Sequence, residues 1–288
     1  MSSGVVSYNL ADLAWPDIRK FTDGDGIVLV PVGSIEQHGP HLPAGTDMFH
    51  CLEVAERAAP LADVPYAPTL PYGYSPHHIR KVGTGQGTIT MKASTCQAVY
   101  YDIGRSLIHM GFKKLIYING NASNFKVMDP VMRRLKYETG AFLAVYKPYG
   151  ENYMGIMADV LEGSKEETPG WHSAEQETSQ MMAHDDRLVY LDRLNGKWEK
   201  SHKPAWLPDA FGKEDGFHAI QFQGYDYFYL PFEHDDYCET GLVGNPFYAK
   251  KEKGDEIYNR FARYLADAIV EFRRIPVEVH DIEFTNRV

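Results

Sequence analysis

The feature that most constrains the fold is a repeated unit of a short apolar segment, a polar loop and a helical segment. The first two apolar segments cover residues 26–32 and 114–119, and a third covers residues 141–146. They are rich in aliphatic and β-branched residues, which is typical of buried strands. Alternation of such strands with helices predicts an α/β fold in three layers, a mainly parallel sheet with helices on both faces.

Apolar residues at helical spacing predict the helices of this fold. They are expected at residues 10–21, 48–59, 91–111, 125–137, 171–183 and 253–272. In the third of them, Val99, Ile103 and Leu107 recur along one face, and Gly111 suits the C-terminal cap. A turn followed by a short strand is expected at residues 88–90, and the tail at 277–284 is a candidate edge strand.

The loop after the first strand concentrates potential metal ligands. It reads SIEQHGPHLPAGTD over residues 34–47, and its glycines and prolines break regular structure. In an extended segment Glu36 and His38 point to the same side, and Asp47 is expected to be the N-cap of the next helix. Two carboxylates and one imidazole suit Zn²⁺ or Mn²⁺. An isolated Glu-x-His pair is more often part of an ordinary solvated loop. The length of the whole motif is therefore the reason for assigning metal ligands here.

Motifs spread along the chain resemble those of the creatininase (creatinine amidohydrolase) family. They are VPVGSIEQHGPHLPAGTD at 30–47, GYSPHH at 73–78, GTIT at 87–90, IYINGNASN at 116–124, HSAEQETS at 172–179 and GLVGNP at 241–246. The resemblance covers residues 25–272 and is most specific in the first motif. It implies a creatininase-like fold and a metal-dependent hydrolase that cleaves a small cyclic amide with metal-activated water. One or two Zn or Mn ions are implied per chain.

The resemblance also implies roles for single residues. The three ligands of the first loop match metal ligands of the family, and His172 matches its general acid/base histidine. If residues 171–183 are helical, His172 and Glu175 share a face, whereas Glu177 lies near the opposite face. By the same resemblance, Glu175 matches the metal-binding glutamate of the family. Substrate contacts are expected at Ser75, His78, Ser123 and Trp171.

One loop departs from the family pattern. Family members usually carry a histidine two residues after the asparagine that matches Asn119, but here that residue is Asn121. The carbonyl oxygen of Asn121 is a weaker ligand for Zn²⁺ than imidazole. Creatininase itself has a metal-binding glutamate where this chain has Ser123, and Glu175 is the expected substitute.

This departure affects two expected metal positions differently. The position that uses His38, Asp47 and Glu175 is expected to be intact. The position that uses Glu36, Asp47 and Asn121 is expected to be weakened. The departure also argues against creatinine itself as the substrate.

Two further functions stay open at this point. Some relatives open cyclic diketones derived from inositol by C–C hydrolysis, and the polar residues Asn121 and Ser123 would suit a polyhydroxylated ring. The missing histidine could instead mark a degenerate member that binds a ligand without turnover. The joint presence of the acidic residues and histidines of the remaining motifs argues against that reading.

Composition limits the partners and the location of the chain. With 288 residues, 44% of them hydrophobic, and no repeat or linker, we expect a single domain, and the net charge of −10 argues against nucleic acid. No apolar run approaches membrane-spanning length and the N-terminus has no signal-peptide pattern, so no membrane partner is expected. Three widely spaced cysteines, Cys51, Cys96 and Cys238, indicate a reducing cytoplasm.

One long segment resists assignment from its sequence. Residues 195–240 are rich in aromatic side chains, have poor periodicity and contain many loop-forming residues. Long connections of this kind are usually functional, so we expect an insertion that is either a lid or a subunit contact. The hexamers of the creatininase family imply a homo-oligomer.

Overall fold

The main sheet consists of three parallel strands. The structure, a computed structural model, describes residues 6–148, 155–164, 172–213 and 219–285. Strands β1 (Ile27–Val32), β2 (Lys114–Asn119) and β3 (Phe142–Tyr146) lie in the order β1-β2-β3. Val32 pairs with Asn119, so β1 and β2 end at the same edge of the sheet. The three predicted strands are confirmed.

Helices cover both faces of this sheet. They are α1 (Trp15–Asp23), α2 (Thr46–Ala62), α3 (Ala93–Met110), α4 (Phe125–Thr139), α5 (Glu175–Asp185) and α6 (Lys251–Arg273). Because strand side chains alternate, Leu29 and Ile116 pack in one core with α2 and α6. Val30 and Leu115 pack on the opposite face with α3 and α4. The expected three-layer α/β architecture is confirmed.

Three helix boundaries differ from those expected. A short 3-10 turn, Leu10–Asp12, precedes α1 instead of joining it. Helix α2 begins at Thr46 with Gly45 as its N-cap, so Asp47 lies inside the first turn and is not the cap. Helix α5 begins only at Glu175, because the backbone of Ser173 takes a left-handed φ of 63° that a helix cannot continue through.

Two predicted strands are also corrected. Ile89 and Thr90 form only isolated bridges, to Ile35 and Gly73 respectively. In the described part of the tail, residues 277–284 form no strand. The tail is held instead by single contacts, such as the hydrogen bond of 2.9 Å that the His280 amide donates to the Thr139 carbonyl.

The aromatic-rich segment 195–240 contains a small antiparallel sheet. Its strands are β4 (Phe211–Lys213), β5 (Ala219–Phe222) and β6 (Tyr225–Tyr229). The segment also forms a minor core of its own that includes Phe232 and Tyr237. Strand β6 is exposed along its length, and Tyr227 leaves 82% of its surface in solvent.

Two observations bear on the environment of the chain. All three cysteines are buried free thiols. Among the helices of the described ranges, none combines the length and the apolarity that crossing a membrane requires.

The first turn of α2 lies directly against the ends of β1 and β2. A Cβ atom on Gly120 would lie 2.2 Å from the carbonyl oxygen of Asp47, and one on Gly33 would lie 2.4 Å from the Cα atom of Met48. Both distances are too short for any side chain. Glycine at these two positions therefore lets α2 bring Asp47 to the carboxyl edge of the sheet, where sites form in open α/β folds.

We predict that Gly120→Ala destabilises the protein. The added methyl group must push the first turn of α2 away from the sheet, and such overpacking costs about 1–3 kcal/mol or more. Thermal unfolding followed by circular dichroism measures the loss. Gly212→Ala is the control, since its nearest neighbour would lie at 3.6 Å. Equal midpoints for the two variants would contradict the close approach.

Candidate metal centre

Eight polar side chains converge at the carboxyl edge of β1 and β2. None is more than 7% exposed. They comprise three carboxylates, four imidazoles and one carboxamide: Glu36, His38, Asp47, His78, Asn121, His172, Glu177 and His234. Burying so many polar groups together is costly unless they are paired or bind an ion.

One group of three side chains has the geometry of a metal site. His38 Nε2 lies 3.3 Å from Asp47 Oδ1 and 3.6 Å from Glu177 Oε2. On the other side of the ring, His38 Nδ1 donates a hydrogen bond of 3.0 Å to the Glu36 carbonyl oxygen. That bond leaves Nε2 as the ring nitrogen that faces the two carboxylates, and contacts of this kind orient histidines that bind metals. One nitrogen and two carboxylate oxygens suit Zn²⁺ or Mn²⁺.

The pKa values of all three side chains in this group are raised. Burial lowers the pKa of His38, but the Asp47 and Glu177 carboxylates outweigh it and raise that pKa to about 10. Burial raises the pKa of Asp47 to about 6 and that of Glu177 to about 7. The ion-free site therefore holds protons that a divalent ion would replace. The residues present fit a divalent cation.

Glu175 does not join this group, which corrects its expected role as a metal ligand. Its carboxylate accepts hydrogen bonds from the backbone amides of Glu162 at 2.8 Å and Gly163 at 2.9 Å, and it pairs with Lys253 Nζ. The prediction assumed a helix through residue 172. Since α5 begins at Glu175 itself, the carboxylate that faces His38 is that of Glu177.

Asn121 is present in the site, but not in the expected orientation. Its carbonyl oxygen accepts a hydrogen bond of 2.8 Å from the Ser123 amide. Its amide nitrogen then points to the carboxylates and donates to Glu36 Oε2 at 2.8 Å and to Asp47 Oδ2 at 2.9 Å. This corrects the expectation that Asn121 would offer an oxygen to a metal. The carboxamide nitrogen instead lies between the carboxylates of Glu36 and Asp47.

His172 lies on the other side of Glu36. Its backbone pairs with Val243, and its Nε2 atom donates a hydrogen bond of 2.7 Å to the Gln37 carbonyl oxygen. The second ring nitrogen, Nδ1, faces Glu36 Oε1 at 3.8 Å. The imidazole therefore turns its lone pair into the site.

Two more histidines complete the cluster. His78 Nε2 lies 3.5 Å from Glu36 Oε1, and the His78 ring stacks on His234 with centroids 4.3 Å apart. Sequence reasoning missed His234 and assigned no role to Glu177. His234 lies in the segment with poor periodicity, where no local spacing marked it. The sequence Glu-Gln-Glu-Thr-Ser at residues 175–179 contains both glutamates, and only the start of the helix shows which of them faces the site.

Of the three other residues predicted to contact the substrate, two are buried and one lies outside the described residues. The Ser75 hydroxyl is buried and lies 2.6 Å from the Ser34 hydroxyl. Ser123 is buried beside Asn121. Trp171 lies outside the described residues. A substrate contact at each of these three residues stays a prediction.

Sequence comparison shows where this chain belongs. The profile of the creatininase family, described as creatinine amidohydrolase, matches residues 11–269. The chain belongs to the creatininase family. A creatinine amidohydrolase of Pseudomonas putida is 28% identical over 91% of this chain and 96% of its own length. A 3-dehydro-scyllo-inosose hydrolase of Thermotoga maritima is 26% identical over 86% of this chain and 78% of its own length.

Solved structures of creatininase share the fold. A creatinine amidohydrolase structure superposes with a TM-score of 0.70 at 26% identity, covering 94% of this chain and all of that one. A manganese form of creatininase gives a TM-score of 0.69 at 26% identity, covering 93% of this chain and all of that one. A zinc form gives 0.66 at 26% identity, with 94% and 100% covered. The expected metal-dependent hydrolase with Zn or Mn is confirmed at the level of the family.

We predict that substitution of one glutamate of α5 weakens metal binding, whereas substitution of the other lowers stability. Glu177→Gln should lower Zn²⁺ affinity strongly, because it removes a charged ligand beside His38. Glu175→Gln should retain the ion but lower the free energy of unfolding, since breaking a buried ion pair typically costs about 3–5 kcal/mol. Metal content after dialysis and thermal unfolding distinguish the two effects. If only Glu175→Gln lost the ion, Glu175 would be the metal ligand, as the sequence predicted.

We also predict that Zn²⁺ affinity falls as pH falls. The ion binds deprotonated ligands, whereas the ion-free protein holds a proton on His38, with a pKa of about 10, and partly on Glu177, with a pKa of about 7. Binding at neutral pH should therefore release at least one proton. Calorimetric titration in two buffers of different ionisation enthalpy counts the released protons. A heat that does not depend on the buffer would contradict the charge assignment.

Proposed function

We propose that this protein hydrolyses a small cyclic amide with one divalent cation bound by His38, Asp47 and Glu177. The observation that carries the proposal is the convergence of these three side chains on His38 Nε2, with separations of 3.3 and 3.6 Å between ligand atoms. A divalent ion held there supplies a water of lowered pKa and polarises the substrate carbonyl.

Each residue of the site has a task in this proposal. Asp47 and Glu177 provide negative charge to balance the cation, and their burial excludes competing water. The Glu36 carbonyl holds the His38 ring in the orientation that exposes Nε2. Asn121 hydrogen-bonds Glu36 and Asp47 and so keeps their mutual repulsion low in the absence of a second ion.

His172 is proposed to move the proton. Because Nε2 of His172 donates to the Gln37 carbonyl, Nδ1 is the atom that can accept a proton within the site. It lies 3.8 Å from Glu36 Oε1, close to both groups of ligands. Ring opening leaves a basic nitrogen on the product, and a protonated His172 would deliver the proton to that nitrogen.

A second candidate keeps the same residues and changes the bond. The similarity to an inosose hydrolase supports C–C hydrolysis of an inositol-derived cyclic diketone. His172 would then protonate a carbon. The argument for this substrate from the polar loop is weakened, since the amide nitrogen of Asn121 already donates to Glu36 and Asp47.

A substrate panel tests the two candidates. Protein loaded with one equivalent of Zn²⁺ or Mn²⁺ is incubated with five- and six-membered cyclic amides, with creatinine, and with 3-dehydro-scyllo-inosose. Mass spectrometry detects addition of water, and proton NMR shows whether an amine or a new C–H group forms. Turnover of a cyclic amide supports the first candidate. Exclusive turnover of the diketone supports the second, and no turnover of any compound would favour a binding protein without catalysis.

We predict that His172→Gln lowers turnover by about 10²–10⁴-fold, the usual contribution of a general acid or base. The ion at His38 should stay bound, because His172 is not one of its ligands. Initial rates and metal content are measured on the same preparation, loaded with one equivalent. Loss of that ion would instead make His172 a ligand of the first site.

Three broader properties belong to the same proposal. Residues 1–288 would form one hydrolase domain, and segment 195–240 would act as a lid, as the presence of His234 beside His78 supports. The exposed aromatic strand β6 supports a homo-oligomer, with the hexamer of the family as the expected form. The three buried free thiols support a cytoplasmic location.

A further inference from the structure

We propose that His78, His172 and His234, together with Glu36, form a second divalent-cation site beside the first. The three imidazoles come from segments far apart in the chain. One ring nitrogen of each lies within 4.8 Å of those of the other two. A tetrahedral zinc site with bonds of about 2.0–2.1 Å needs only a modest contraction from this arrangement.

Two of these buried rings, those of His78 and His234, carry nitrogens that make no hydrogen bond within the described ranges. His78 is 4% exposed and His234 is 5% exposed. Within the described ranges, His78 Nδ1 and His234 Nε2 make no hydrogen bond, and His78 Nε2 faces the Glu36 carboxylate at 3.5 Å. Buried polar atoms are almost always paired in native proteins. A cation that accepts one lone pair from each ring supplies a partner for His234 Nε2 and for one nitrogen of His78.

Glu36 provides the negative charge for this site. Its Oε1 atom lies 3.5 Å from His78 Nε2 and 3.8 Å from His172 Nδ1. The hydrogen bond from His172 Nε2 to the Gln37 carbonyl leaves the Nδ1 lone pair on the side of Glu36. Three imidazole nitrogens and one carboxylate oxygen form a four-ligand set that suits Zn²⁺.

Asn121 explains why a second cation would bind here and not between the carboxylates. Its amide nitrogen donates to Glu36 Oε2 at 2.8 Å and to Asp47 Oδ2 at 2.9 Å. A cation bridging those two oxygens would have to break both hydrogen bonds. The other oxygen of Glu36 faces His78 and His172, where no such hydrogen bond from Asn121 has to be broken.

An ion at this second site would regulate the first. This step rests on the proposed function, in which the Nδ1 atom of His172 accepts a proton. A cation bound to Nδ1 takes the same lone pair, so the atom can no longer act as a base. Excess Zn²⁺ should therefore inhibit hydrolysis. The affinity of His78 and His234 for the ion would set the Zn²⁺ concentration at which inhibition occurs.

Calorimetric titration of metal-stripped full-length protein with Zn²⁺ tests the site. The parent should bind two equivalents, and His234→Phe should bind one. Phenylalanine keeps an aromatic ring against His78 and Tyr237, at 4.3 and 5.1 Å between centroids, but removes both nitrogens. His77→Phe is the matched control, because His77 also packs on His78 but lies outside the group, and it should bind two equivalents.

The outcomes separate this proposal from the proposed function. Glu177→Gln should lose the first ion and retain the second. Inhibition by excess Zn²⁺ on the best substrate of the panel, abolished in His234→Phe, supports both proposals. A second ion that leaves turnover unchanged supports the site and contradicts the proton-transfer role of His172.

Identical stoichiometry in the parent and in His234→Phe overturns the site. If that variant fails to fold by circular dichroism, His78→Phe replaces it in the same comparison.

Discussion

The site depends on the crowding of three buried carboxylates around His38. Glu36, Asp47 and Glu177 are each at most 7% exposed, and their mutual repulsion would be costly without compensating charge. The fold tolerates this because the rigid ends of β1 and β2 and the first turn of α2 fix the groups in place. In the proposed function, a divalent cation at His38 would relieve this repulsion. The cost of burying the carboxylates together would then favour binding of the ion.

The carboxamide of Asn121 changes what this cluster can bind. A neutral NH₂ group donates a hydrogen bond to one oxygen each of Glu36 and Asp47. The amide supplies hydrogen bonds but no charge. In the two proposals, one ion would therefore bind at His38, and a second would bind the histidines on the other side of Glu36.

Sequence reasoning predicted the sheet and most helices because those signals are local. β2 follows from an apolar run, and the end of α3 follows from Gly111. The choice between Glu175 and Glu177 depended on the left-handed turn at Ser173 and on the pairing of His172 with Val243, which are tertiary features. His234 is brought to the site by a long irregular segment, and no spacing rule connects it to His78.

The ligands of the site also bear on the order of folding. His38 and Asp47 lie on one loop, but Glu177 and His234 arrive from much later in the chain, and α5 is held against α6 by the pair of Glu175 with Lys253. Contacts between such distant residues form slowly because the chain entropy must be lost first. An ion that needs His38, Asp47 and Glu177 together would therefore bind only after these distant contacts have formed. Loading with metal would then follow folding and would not guide its early steps.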